Sequence, residues 1–378
     1  MIGTELAGHT TLRLGGPARR LVRATSADEL VAAATAAARE TREGGAPPLV
    51  VGGGSNLVVG DAGVDATVLL VDARGHEVRT DPEGPGGTVL VHAEAGEDWD
   101  ELVAATVEAG LGGLECLSGI PGRTGATPVQ NVGAYGVEVA DLLVDVDLLV
   151  PATGEVRRAP AADLGLAYRT SALKTQPRAD AEIVLGVRFR LTTDGLSAPV
   201  RYGELARTLG VEPGTRAPVA EVRAAVLGLR RGKGMVLDPD DHDTWSAGSF
   251  FTNPIVDAGV AVEVARRVEE AGATPVAAWP LDGAAGVHGE GAVKLSAAAL
   301  IERAGVRRGD PGPDSPVRIS TRHTLALTHR GGGSTEALLT LARDVRDRVA
   351  TSFGVRLVPE PVLVSCSLDP TGERDGRS

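Results

Sequence analysis

Lysine is nearly missing from this 378-residue chain: of 38 basic side chains only Lys174, Lys233 and Lys294 are lysines, which leaves 35 arginines. A sequence so biased fills ordinary surface positions with arginine, so a lysine marks a place that wants a compact ammonium rather than a planar fork. Tyrosine is as scarce, with Tyr135, Tyr168 and Tyr202 only. The two cysteines, Cys116 and Cys366, exclude a disulfide scaffold and fit a reduced, cytoplasmic setting. No apolar run approaches the roughly 18 to 20 residues of a membrane span, and the opening MIGTELAGHT has neither the basic nor the apolar region of an export signal. The net charge of −12 argues against nucleic acid and anionic membranes as partners. Hydrophobic residues at 43% and charged ones at 23% make an ordinary soluble balance, and the length favours two or three domains.

What the chain does have is glycine, concentrated in one stretch. LSGIPGRTGATPVQNVGAYGVE, Leu117 to Glu138, carries five glycines and two prolines, with Arg123, Tyr135 and Glu138 as its only ionisable residues. Gly and Pro rule out a helix there, and the segment is too apolar for a solvated linker. Backbone pressed against a planar or phosphorylated group explains it better than a long surface loop, which at this length is usually functional or disordered.

Read in order, His9 to Ala24 alternates like a strand broken at Gly15-Gly16-Pro17. Ser26 and Glu29 then form a capping box for a helix running to about Arg42. An apolar strand at Leu49–Val51 leads into GGGSN, Gly52 to Asn56, and a second strand follows at Thr67–Val71. A glycine run leaving a strand offers bare N–H groups to an anion. No Gly-Lys-Ser/Thr follows, and the third glycine of a dinucleotide fingerprint is replaced by Leu57, so by itself GGGSN is equally a plain turn. Further strands are expected at Thr88–Ala93, Val144–Val150, Glu182–Leu191, Thr324–Thr328 and Leu357–Val364. Helices are expected at Asp98–Ala109, Pro218–Arg231, Val262–Ala271 and Thr335–Ser352. Lys294 precedes a helix capped by Ser296, a fair anion site. Two glycine-rich loops beside apolar strands suggest one extended cofactor with a pyrophosphate and a ring system.

VVGGGSNLVV, followed by GLECLSGIPGRTGATPVQNVGAYG, resembles the flavin-binding half of the UDP-N-acetylenolpyruvoylglucosamine reductases. These are also called UDP-N-acetylmuramate dehydrogenases. The likeness runs from about His9 to Val364, and it implies an α+β fold. In that fold a vanillyl-alcohol-oxidase-type FAD-binding module of two α/β subdomains, 9–73 and 74–195, precedes a C-terminal α+β substrate domain, 196–364. The last strand, 355–364, is expected to return to the FAD module, and the tail, 369–378, to be disordered.

The resemblance implies non-covalent FAD and NADPH as co-substrate. Gly52, Gly53, Gly54, Ser55, Asn56 and Leu57 would hold the pyrophosphate. Gly119, Ile120, Pro121, Gly122, Gly125, Ala126, Gln130, Asn131, Gly133, Ala134 and Tyr135 would wrap the ribityl chain and ring. Tyr168-Arg169, in LAYRTSALK, match a pair that faces the flavin, with Ser171 and Lys174 at the family's offsets. A rigid guanidinium at 169 suits a substrate carboxylate.

DTWSAGSFFTNP sets Ser249 between Gly248 and two phenylalanines. Neither a G-x-S-x-G elbow nor a spaced His–Asp pair supports hydrolysis, and in the family this serine is the acid that protonates carbon. Lys233 and Asn253 match residues that bind the nucleotide diphosphate, and Tyr202 a tyrosine on a mobile covering loop. Lys294 joins them as a substrate contact. Glu360, a lone carboxylate in an apolar segment, is costly unless partnered, and it matches the catalytic glutamate. Where many members have an arginine two residues later, this chain has Val362.

The expected partners are a UDP-sugar and NADPH, with no metal, and the expected state is a monomer. The alternatives are a same-fold flavin oxidase, against which SAGSFFTNP with Lys233 argues, and a non-catalytic UDP-sugar or flavin binder. The intact set Tyr168, Arg169, Ser249 and Glu360 argues against the second.

Overall fold

The computed structural model describes residues 4–281 and 291–369. The tail expected to be disordered lies outside the described residues except for Asp369, which ion-pairs with Arg346 and Arg356 at 2.9 and 2.8 Å.

A parallel α/β unit comes first: β1 (Ala18–Ala24), α1 (Ala27–Arg42), β2 (Leu49–Val51), β3 (Leu57–Val59) and β4 (Val64–Val71). β4 lies between β1 and β2, parallel to both, and its near-continuous apolar run is buried as such a strand requires. Ser26 caps α1 by accepting from the Glu29 N–H. The Glu29 carboxylate reaches back to Thr25, one residue before the cap, at 2.7 Å, so the capping box is offset by one. His9–Gly16 does not form the expected strand. Leu6–His9 is a 3₁₀ turn, and the Thr10 hydroxyl donates to the Leu14 carbonyl at 2.9 Å. The alternation reflects Leu12 and Leu14 burying into the C-terminal core.

An antiparallel unit follows. It contains β5 (His76–Thr80), β6 (Thr88–Glu94), α2 (Trp99–Glu108), the hairpin β7 (Gly133–Ala134) and β8 (Val137–Glu138), β9 (Leu143–Val150), β10 (Glu155–Pro160), α3 (Ala172–Thr175) and β11 (Ile183–Thr192). Its five-stranded sheet runs β10-β9-β11-β6-β5. The inner strands were legible because they are apolar. The edge strands β5 and β10 were not, because edges carry charge to block further pairing.

The remaining elements are α4 (Gly203–Leu209), α5 (Val219–Gly232), β12 (Ile255–Val256), α6 (Ala258–Glu270), β13 (Ala278–Pro280), β14 (Val293–Leu295), α7 (Ala297–Arg303), β15 (Val317–Ile319), β16 (Leu327–His329), α8 (Thr335–Phe353) and β17 (Val362–Val364). Leu205 of α4 and Val222 and Val226 of α5 bury in the core of the antiparallel unit. A separate core forms around α6, α7 and α8. β17 pairs in parallel with β3, Val362 opposite Leu57. The expected strand from Leu357 shrinks to these three residues, since Pro359 and Pro361 lack the N–H a ladder needs. Glu360 is thereby set beside the segment that follows GGGSN. Among the described residues no helix is long and apolar enough to cross a membrane.

Candidate active site

Gly52 to Asn56 turns out of β2 directly against the second glycine loop. A Cβ on Gly53 would lie 2.6 Å from the Gly122 Cα, so the two loops touch backbone to backbone. The N–H groups of Gly53, Gly54, Ser55 and Asn56 donate to no acceptor among the described residues. They are free for an anion. Arg123, between the loops, pairs with Asp72 after β4 at 3.2 Å and with Asp98, the cap of α2, at 3.5 Å. One guanidinium thus ties the loop to both α/β units.

The long loop is anchored from behind. The buried Trp99 indole donates to the Leu117 carbonyl at 3.0 Å. The Gly119 N–H donates to Asp100 at 2.6 Å, and Arg223 of α5 grips the same carboxylate with two bonds of 2.6 and 3.0 Å. Gly119 has φ +71°, and a Cβ there would strike Leu227 at 2.8 Å and stand 3.4 Å from the Arg230 Nε. Arg230 is half-buried, with its Nε out of solvent: one terminal nitrogen donates to the Met235 carbonyl at 2.7 Å, while Nε has no partner among the described residues. An unmet cationic N–H behind a glycine-lined loop is a cost unless a ligand meets it. Asn131, in contrast, is fully engaged by protein: its amide donates to Glu138 (2.9 Å) and the Ala167 carbonyl (3.1 Å), and accepts from the Ala140 N–H. Burial pushes the Tyr135 phenol up to about 12, and its ring meets Tyr202 edge-on at 5.4 Å.

At the far end of the loop the ionisable groups gather. Arg169, with φ +56°, donates to the Gly133 carbonyl at 2.6 Å and the Asn131 carbonyl at 3.4 Å, and its Nε stands 3.1 Å from Glu360 Oε1. Gln130 donates to the same oxygen at 3.3 Å while its carbonyl accepts from Asn56 (2.9 Å) and Lys174 (2.7 Å). Burial drives the Glu360 carboxyl above its ordinary range, against the pull of Arg169. Ser249 follows Gly248 (φ +73°). The Glu360 N–H donates to the carbonyl of the next residue, Phe250, at 2.9 Å, so serine and glutamate ride on facing backbones. The Ser249 hydroxyl makes no hydrogen bond to a described residue.

Two further groups flank this cluster. Tyr168 lies beside Asn253, whose side chain accepts from the Ala297 N–H at the start of α7. Lys294 Nζ lies 4.8 Å from the Tyr168 ring and 5.8 Å from that of the exposed Trp279. Lys233, ending α5, donates to Glu204 at 2.6 Å and stands 6.0 Å from the Tyr135 ring. His323 is held down to about 4 by burial and then by Lys233, so its imidazole is neutral. The scarce lysines and tyrosines thus converge. Arg230, Asp100 and His323 were missed, and one arginine among 35 gives no signal.

Free loop amides for a pyrophosphate and the orphan Arg230 N–H fit FAD, and residues 18–160 match the FAD binding domain family. The molecule is a flavoprotein built from an FAD-binding module and a second α+β domain. Residues 238–364 match the C-terminal domain of UDP-N-acetylenolpyruvoylglucosamine reductase. The chain is 59% identical to the enzyme of that name from Saccharopolyspora erythraea, over 97% of this chain and 96% of the relative. It is 53% identical to that of Salinispora arenicola, over 96% and 95%. The crystal structure of the Thermus caldophilus enzyme superposes with a TM-score of 0.59 at 25% identity, covering 95% of this chain and 97% of that one. The chain belongs to the UDP-N-acetylenolpyruvoylglucosamine reductase family.

Purified protein should be yellow and should release intact FAD on denaturation, because no Cys or His lies within 117–138 and burial pushes the neighbouring Cys116 thiol up to about 12, leaving it inert. Flavin that stays on the denatured chain would overturn this.

Proposed function

We propose that the chain reduces UDP-N-acetylglucosamine enolpyruvate to UDP-N-acetylmuramate, a peptidoglycan precursor, with electrons from NADPH. The observation that carries this reading is the contact of Arg169 with Glu360 at the end of the flavin loop, beside Ser249. When bound, FAD supplies the hydride, taken from NADPH and given to the terminal carbon of the alkene. The protein's residues handle the charge and the proton. Negative charge grows on the inner carbon, conjugated with the substrate carboxylate. Arg169 faces that carboxylate as a rigid fork. Burial favours a neutral Glu360, and a second carboxylate brought by the substrate pushes the same way. Neutral Glu360 then donates a hydrogen bond as the charge develops. Ser249 gives its proton to the inner carbon; a serine is a weak acid, so this rests on the neighbouring charges.

Lys233 and Asn253 would take the diphosphate, with Lys294 and Tyr168 beside them and Tyr202 covering the pocket from its half-exposed position. To reach phosphate, Lys233 must leave Glu204. Lys233→Ala should raise the Michaelis constant for the UDP-sugar about tenfold or more while turnover at saturation changes little. A charge-assisted phosphate contact is worth about 1.5–3 kcal/mol and, remote from the alkene, acts equally on ground and transition states. Steady-state kinetics check this, and a collapse of saturating turnover with unchanged affinity would count against it. The activity itself is tested by following NADPH absorbance with the enolpyruvyl sugar present and absent. Consumption that depends on oxygen rather than on the sugar would favour an oxidase.

A further inference from the structure

We propose that Lys174 is a positioning residue for this reaction: through the Gln130 carboxamide and the Arg169 backbone, it sets where the Glu360 carboxyl and the Arg169 guanidinium stand. The inference rests on the roles given to Glu360 and Arg169 above. Lys174 lies in α3, and its ammonium makes two contacts inside the pocket wall. It donates to Gln130 Oε1 at 2.7 Å and to the carbonyl of Arg169 at 3.1 Å.

The first contact decides which way Gln130 points. Its Oε1 takes a second donor, Asn56 Nδ2, at 2.9 Å. Flipping the amide would set its NH₂ against an ammonium and another amide NH₂, so the two donors fix the orientation. The amide nitrogen is then left facing Glu360 Oε1 at 3.3 Å. The second contact holds the carbonyl of a non-glycine residue at φ +56°, a conformation that persists only where its surroundings enforce it. That turn aims the guanidinium at Glu360.

An ammonium suits these two oxygens, which lie in different directions, better than a planar fork does. Such a preference accounts for one of only three lysines standing here. The charge acts as well. The groups facing Glu360 are Arg169 and Lys174, both cationic, with Gln130 and the Tyr168 phenol. Burial raises the Glu360 pKa, and Arg169, Gln130 and Lys174 in that order oppose it.

Without Lys174, Gln130 is free to flip, the Arg169 turn loosens, and one of two opposing cations is gone. The test is rapid-mixing recovery of flavin absorbance by the enolpyruvyl sugar, measured against pH in wild type, Lys174→Met, Lys174→Arg and Glu360→Gln. The limb that Glu360→Gln abolishes belongs to Glu360. In Lys174→Met that limb should move to higher pH and the plateau should fall on the order of tenfold. Lys174→Arg keeps the charge, so the limb should stay near its wild-type position, but its planar fork does not meet both oxygens, so the plateau should still fall.

A second readout needs no turnover. The folded pKa of Glu360 is raised, so its contribution to stability is present at low pH and lost as pH rises through that pKa. The thermal midpoint should therefore fall further in Lys174→Met than in wild type as pH rises above the ordinary carboxylate range. An unmoved limb and an unchanged thermal slope, with the limb still abolished in Glu360→Gln, would overturn the role of Lys174 alone. A Glu360→Gln variant with wild-type plateau and limb would instead remove the reading on which it rests.

Discussion

Ser249→Ala should lose flavin absorbance on mixing with NADPH at close to the wild-type rate, and should regain it with the enolpyruvyl sugar about 10²–10⁴-fold more slowly. The asymmetry follows from the place of the proton. Nothing need be protonated on substrate carbon while NADPH reacts, whereas the sugar's inner carbon must receive a proton before product forms. Ser249 is suited to give it. Its hydroxyl is free of partners among the described residues, and its backbone lies alongside that of Glu360. A hydroxyl serving only to cap the turn at Gly248 would behave differently: the variant would lose stability or flavin, and what survived would still turn over. Stopped-flow absorbance of each half-reaction separates the outcomes. Equal slowing of both points to a displaced flavin, and unimpaired recovery removes Ser249 from the chemistry.

Gly53→Ala should give colourless protein, with FAD affinity lowered by about 10²-fold or more. The added methyl would stand 2.6 Å from the Gly122 Cα and 3.1 Å from its carbonyl carbon. Both neighbours are backbone, and Arg123 pins the loop that carries them through Asp72 and Asp98, so neither loop can retreat cheaply. Separation of the loops would carry the free N–H groups of Gly53 to Asn56 away from the ring pocket. The measurement is the absorbance ratio of purified protein, with FAD titrated into the stripped variant. A variant that purifies fully yellow would show that the loops give way and that the close approach does not shape the site.

How far the sequence anticipated this arrangement differs by element. Two helices announced themselves through caps, Ser26 and Ser296, each accepting from a first-turn N–H; Asp98 and Ser334 cap in the same way without having been singled out as caps. Inner strands were legible from apolar runs, whereas β5 and β10 were hidden because charge at a sheet edge reads as loop. The two glycine loops were legible as backbone pressed against a ligand, but not that Gly53 and Gly122 press first against each other. Arg169 and Glu360 were each nominated by motif, yet their 3.1 Å contact comes only from tertiary pairing. Asn131, nominated for the cofactor, has its side-chain amide engaged by Glu138, Ala167 and Ala140, which the sequence did not show. Arg230 could not be singled out at all, since what distinguishes it is its place behind Gly119 in the folded chain. Scarcity was the better guide: it pointed to Lys174, Lys233 and Lys294 before any contact was known.

The pairing of β17 with β3 has a consequence for how the molecule is made. On a growing chain, the pyrophosphate loop and the segment after it are synthesised early, but the partner that completes β3 arrives only near the end, and Glu360 arrives with it. The five-stranded sheet can close once its central strand β11 has been made, well before that. The Glu360 carboxylate waits on a closure between segments far apart in the sequence, the slowest kind of contact to form. A nascent or clipped chain ending before residue 360 therefore lacks both the partner of Arg169 and the strand that pairs with β3.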